Sequence, residues 1–187
     1  MSDKLVFVTG AYGVGKSTVC QQIPSSIGFK YLKASTLIFD YLQTSPPTDK
    51  RIADSDDLYT NQYALIHELS RQRTSEHILL EGHTCLLDRN MRILQIPLEL
   101  LGKFNMSAIV LITRPISEIH HTLIHRDHVD YNATLLSQLQ EQEHISFSYI
   151  AKVFDIPSLH IDFSNQTEKL AVENLKHFLD TIFTNRH

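Results

Sequence analysis

Gly10-Ala11-Tyr12-Gly13-Val14-Gly15-Lys16-Ser17 is the stretch whose reading decides the fold. It follows the apolar run Lys4-Leu5-Val6-Phe7-Val8-Thr9 and opens a helical pattern near Lys16. Glycines let the backbone curl around an anion with successive N–H groups turned inward, and the following helix offers its positive end to the same anion. The reading assigns Gly10, Tyr12, Gly13, Val14, Gly15, Lys16, Ser17 and Thr18 to a nucleotide phosphate loop. Lys16 is expected to reach the β- and γ-phosphates of ATP, and the Ser17 hydroxyl to bind Mg²⁺. A strand before the loop and a helix after it are the context that this pattern needs.

Outward from the loop, short apolar segments alternate with helical ones. Phe29 to Ala34 reads as a second strand, with Ser35 as N-cap of a helix to about Gln43. Thr44 to Asp57 is a long polar stretch broken by Pro46 and Pro47, of the length that usually carries function or disorder. Tyr59, Tyr63, Ile66 and Leu69 mark a helix from Leu58 to about Arg73, and His77 to Gly82 is a buried-type strand ending in a carboxylate. His83 to Ile96 reads as irregular, and Pro97 starts a short helix. Ser107 to Thr113 is a clear strand, Pro115 suits the first turn of a helix to about Ile124, and His125 to Asn132 is polar. Leu136, Leu139, Glu143, Phe147, Ile150 and Phe154 form a helical stripe interrupted by one carboxylate. Ser158 to Phe163 is a last strand before a closing helix with Leu170, Leu175, Phe178, Leu179 and Ile182 inside.

Such alternation predicts a single α/β domain over residues 1–187, a three-layer fold with a five-stranded parallel sheet flanked by helices. Ligands bind these sheets at the carboxyl ends of the strands. Thr9, Ala34, Glu81, Thr113 and Phe163 should then crowd one edge, bringing the loop, Glu81-Gly82-His83 and Arg114 together.

Composition bounds the function. A net charge of -4 disfavours nucleic-acid binding, which needs a broad basic surface. No apolar run approaches the roughly 20 residues that cross a bilayer, and the N-terminus lacks a signal-peptide pattern, so a cytoplasmic location without membrane partners is expected. Cys20 and Cys85 read as buried thiols. Four of the eleven histidines fall between His120 and His128, without the spacing of a zinc site.

Phosphoryl transfer needs charge neutralisation and in-line positioning opposite the γ-phosphate. Arg126, followed by Asp127 between two helices, is a candidate catalytic cation on a lid. Glu81, at a strand end beside the loop, is a candidate for a Mg²⁺-bound water or for the acceptor's proton. Lys50 and Arg51 are candidates for the acceptor's anionic group, with Ser35, His83, Arg89 and Arg92 also on the acceptor side.

Gly10-x-x-Gly13-x-Gly15-Lys16-Ser17-Thr18, Glu81-Gly82-His83 and Arg126-Asp127 together resemble the nucleoside monophosphate kinases, in particular archaeal-type adenylate kinases and related AAA-like P-loop kinases. The resemblance spans nearly the whole chain. It implies an acceptor-binding region over about 35–73, a lid near 125–132, and transfer from MgATP to a nucleoside monophosphate. The chain departs from the family in its arginines. Thr122 stands one turn before Arg126 where a second arginine is usual, none lies between Asp127 and Asp155, and none lies in the helix after Ser35. Those losses motivate a second reading, an ATP-binding switch that hydrolyses slowly and acts through a protein partner. A kinase acting on nucleic-acid ends is a third, set against the acidic balance.

Overall fold

A computed structural model describes residues 4–23, 27–43, 55–72, 77–127 and 130–184. The phosphate-loop strand β1, Leu5–Thr9, lies at the centre of a five-stranded sheet. Around it stand β2 (Phe29–Lys33), β3 (His77–Glu81), β6 (Ala108–Thr113) and β7 (Ser158–Asp162), in the order β2-β3-β1-β6-β7 and parallel at every pairing. The expected five-strand frame is therefore present. All residues of β1 and β6 are buried, as strands covered on both faces require.

Side chains alternate between two cores because successive residues of a strand face opposite ways. Leu5, Phe7, Leu80 and Ile109 face a core completed by helix α3 (Ser55–Gln72), the short helix α4 (Leu98–Gly102) and the C-terminal half of α6 (Ala133–Val153). Val6, Val8, Leu79 and Val110 face the other core. That core is closed by α1 (Lys16–Gln21), α5 (Ile116–Asp127) and α7 (Glu168–Thr184). Helix α6 serves both, with Leu136 and Leu139 in one core and Phe147 and Ile150 in the other. Asn132 caps it by accepting from the Thr134 N–H at 2.7 Å.

Three local expectations are corrected. Ser35 is not an N-cap: α2 runs Ala34–Leu42, and extended Lys33 precedes it without a side-chain cap. The His83–Ile96 segment contains an antiparallel hairpin of β4 (Cys85–Leu87) and β5 (Ile93–Gln95). Its strands are too short for alternation to be legible. The turn is instead encoded by Asp88, whose Oδ1 accepts from the Asn90 and Arg92 N–H groups while Met91 takes the left-handed conformation (φ 61°). Finally, α5 extends through Asp127, so the first three residues of the expected lid are helical.

Register sets the functional edge. Val8 pairs with Glu81, Lys33 with Glu81, Thr9 with Leu111, and Thr113 with Asp162, so the carboxyl ends of the strands finish side by side. Gly82 follows β3, and a Cβ there would lie 2.7 Å from Phe7 Cε2. Gly82→Ala is expected to cost about 1–3 kcal/mol in urea unfolding as the ring is displaced. Gly28→Ala meets no atom within 4 Å and only a left-handed φ of +80°, so about 1 kcal/mol is expected. A smaller loss at Gly82 than at Gly28 would show that the Phe7 ring is not confined.

Candidate active site

The phosphate loop is built on backbone geometry that side chains resist. Gly13 and Gly15 have φ of 79° and 97°, and a Cβ on Gly10 would press into the Ile112 carbonyl of the neighbouring strand. Lys16, 6% exposed, folds over the loop, its Nζ donating to the carbonyls of Gly10 at 2.7 Å and Ala11 at 3.0 Å. A near-buried ammonium resting on loop carbonyls is a cation held where an anion can claim it.

At the front of the loop, Ser17 Oγ donates to both oxygens of Glu81, at 2.8 and 2.9 Å. Tyr31, from β2, donates its hydroxyl to the same carboxylate. Burial first, and then the bond to Glu81, push the Tyr31 phenol up, so it remains a donor. Ser17 and Glu81 thus present adjacent hard oxygen donors, the chemistry that suits Mg²⁺ completed by phosphate oxygens and water. Of the sequence-predicted metal pair, both residues are brought together.

Other loop residues divide between roles. Val14 is fully buried, and its carbonyl accepts from Arg114 Nε at 3.1 Å. The Arg114 guanidinium also lies 4.1 Å from the Phe163 ring centroid and donates to Glu118 at 2.9 Å, bracing the loop from outside. Thr18 is exposed on α1. Tyr12 turns away from the front of the loop: its ring stacks obliquely on His83, with centroids 4.5 Å apart, and its hydroxyl accepts from the Leu87 N–H at 3.4 Å.

Beside this front lies a cavity of about 230 Å³. Glu81, Gly82, His83 and Tyr12 line its sheet end, Lys33 and Ser35 its α2 wall, and Asn61 and Gln62 its α3 wall. Phe7, Phe39, Phe104, Leu65 and Ile96 make the remaining surface mainly apolar. Ser35 and His83, two of the expected acceptor-side residues, are therefore on the cavity. Arg89 and Arg92 stand at the exposed turn of the β4–β5 hairpin, away from its lining, and Arg92 Nε is held by Asp88 Oδ2 at 2.7 Å. Lys50 and Arg51 lie outside the described residues, as does the side chain of Arg126, whose backbone ends α5.

Glu143 is the residue that sequence reasoning left unassigned. It is fully buried, and its carboxylate gathers Thr9 Oγ1 at 2.6 Å, Thr84 Oγ1 at 2.5 Å, and the N–H groups of Thr84 and Cys85 at 3.1 and 3.3 Å. His83 Nδ1 stands 3.4 Å from Oε1, in ion-pair range but without hydrogen-bond geometry. Burial opposes ionisation of Glu143, yet His83, Lys16 and the Thr84 hydrogen bond outweigh it and hold the carboxyl below its usual range. Burial, helped by Lys16, lowers His83 against the pull of Glu143. The same environment pushes Cys85 up to about 11, first by burial and then by Glu143. The signal was present in the sequence as the one carboxylate interrupting an apolar stripe.

Because its folded pKa is depressed, Glu143 contributes stability that is present above the unfolded value of about 4.3 and lost as pH falls through the folded one. Glu143→Gln is expected to cost about 2 kcal/mol at pH 7 in urea unfolding. The gap from the parent should narrow below about pH 4.3. A gap independent of pH would mean that Glu143 is not ionised.

No curated protein matches the chain. Among solved structures, it is similar to a gluconokinase from Sinorhizobium meliloti 1021, at 18% identity and TM-score 0.61, with 98% of each chain covered. It is also similar to shikimate kinase from Acinetobacter baumannii in complex with shikimate, at 17% identity and TM-score 0.66, covering 98% of this chain and 95% of that one. A sugar kinase from Janibacter sp. HTCC2649 matches at 16% identity and TM-score 0.59, with 95% of each chain covered. At these identities the likeness establishes the P-loop kinase-like fold. The AAA domain profile matches residues 9–137, which take in the phosphate loop, Glu81 and most of the cavity lining, and the chain therefore belongs to the AAA domain family.

Proposed function

We propose that this protein transfers the γ-phosphoryl group of MgATP to a small acceptor held in the cavity, and that the acceptor is a nucleoside monophosphate. The observation that carries the reading is that one cavity is shared by both halves of the reaction. Tyr12 of the phosphate loop and Glu81 of the Ser17 pair line the same space as α2 and α3. A nucleotide switch needs no second ligand space beside its γ-phosphate position.

Mg²⁺ held by Ser17 and Glu81 would neutralise charge on the phosphate oxygens. The chain's own groups do the rest. Lys16 exchanges two neutral carbonyl partners for phosphate oxygens, a short swing from where it already rests. Tyr31 and Ser17 fix the Glu81 carboxylate. Lys33, on the cavity wall, is placed to meet an acceptor anion, and the aromatic walls suit a base. Arg126 is the proposed lid cation. Two proteins of similar fold are a gluconokinase and a shikimate kinase, which makes small hydroxy acids the acceptors to compare.

The test is ADP formation from ATP and Mg²⁺ across nucleoside monophosphates, gluconate and shikimate. Stimulation by a monophosphate supports the full reading; stimulation by a hydroxy acid alone keeps the phosphotransferase and removes the nucleotide acceptor. Slow hydrolysis that no acceptor stimulates would leave the switch. Lys16→Ala is expected to lower turnover by at least about 10²-fold, through loss of the charge on the β- and γ-phosphates. Arg126→Ala should lower kcat by about 10²-fold with a smaller change in KM for ATP. A rise in KM at constant kcat would make Arg126 an anchor only.

A further inference from the structure

Gln62 is buried on α3 at 3% exposure, and its Oε1 has no hydrogen-bond partner. Leaving a buried carbonyl oxygen unsatisfied costs on the order of 1–3 kcal/mol, and an apolar side chain of the same shape would avoid that cost. The residue sits on the wall of the cavity whose lining also includes Glu81 and His83. A carbonyl oxygen that the fold does not use, on the surface of a ligand space, is an acceptor that a ligand can use.

The surroundings narrow the ligand. Phe7, Phe39 and Phe104, with Leu65 and Ile96, give the cavity aromatic and aliphatic walls that a flat ring fills. A side-chain amide offers an acceptor oxygen and an N–H donor on neighbouring atoms, which match paired donor and acceptor atoms on the edge of a heteroaromatic ring. The same bidentate match underlies recognition of adenine by glutamine in other settings.

We propose that Gln62 is the specificity-determining residue of the acceptor cavity, its amide pairing with the hydrogen-bonding edge of a nitrogen heterocycle carried by the acceptor. This rests on the phosphotransferase reading above. The sheet end then holds the reacting phosphate near Glu81, and the ring lies toward α3. Gln62 acts on which acceptor binds, and the phosphate loop is untouched by it.

The probes are AMP and purine riboside 5′-monophosphate, which differ by the exocyclic amino group. They are compared by kcat/KM on the full chain with saturating MgATP, for the parent and for Gln62→Leu. The parent is expected to prefer AMP by about 5- to 150-fold, the ratio that a hydrogen bond of about 1–3 kcal/mol gives. Gln62→Leu should erase that preference, leave kcat/KM for the purine riboside compound within a few-fold, and keep or raise Tm. A preference that survives in Gln62→Leu overturns the proposal, as does a large fall in Tm, which would assign Gln62 to the core. Transfer to gluconate or shikimate with neither nucleotide used overturns it while the phosphotransferase stands. Absence of acceptor-stimulated ADP formation removes both.

Discussion

A carboxylate with no exposure, at the point where α6 passes from one core to the other, is the constraint on which the functional edge depends. Moving an ion of this size out of water costs several kcal/mol unless its lone pairs are met. Glu143 meets that cost with two threonine hydroxyls and two backbone N–H groups, drawn from the end of β1 and from the turn after β3. Satisfying one buried charge therefore fixes three chain segments relative to each other. Thr9 immediately precedes the phosphate loop, and Thr84 immediately follows His83, so the loop and the sheet end of the cavity share one anchor.

That anchor explains why His83 and Tyr12 can occupy the space between the two ligand regions. Their rings are in contact, Tyr12 reaches the hairpin through the Leu87 N–H, and Glu143 stands behind His83. The loop thus faces two ways. Its glycines shape the backbone over which Lys16 folds, while Tyr12 lines the cavity. Arg114 completes the frame by binding the Val14 carbonyl from the opposite direction, held in turn by Gln140 through its own backbone N–H and carbonyl.

What was legible in the sequence follows the same division. The five parallel strands, the edge formed by Thr9, Glu81 and Thr113, and the choice of Ser17 and Glu81 as partners were readable because glycine spacing and apolar period are local signals. Tyr31 and Gln62 were not. Each sits in a pattern that reads as an ordinary strand or helix, and its significance comes from a partner, or a missing partner, about 50 residues away or in another layer. The hairpin within 85–95 escaped because three-residue strands are too short for alternation to register. Arg89 and Arg92 attracted attention as cations near a strand end, yet Asp88 recruits Arg92 to hold a turn. Charge near a site in sequence is a poor guide when a neighbouring carboxylate can use it first.

The phosphate-loop half of this site is specified by backbone conformation and the cavity half by side chains on α2 and α3. Left-handed glycines and a buried lysine admit few substitutions, so that half has little room to vary without losing the loop. The α2 and α3 walls carry no such restriction. They pack over the face of the sheet that holds Phe7, and their inward side chains can change size or polarity while β1, the loop and the Glu143 anchor stay in place. In this architecture the proposed choice of acceptor is therefore separable from the proposed use of nucleotide. The proteins similar to it in fold at 16–18% identity are a gluconokinase, a shikimate kinase and a sugar kinase. For this chain those walls present an aromatic surface and one amide oxygen without a partner, and the proposed acceptor is argued from them.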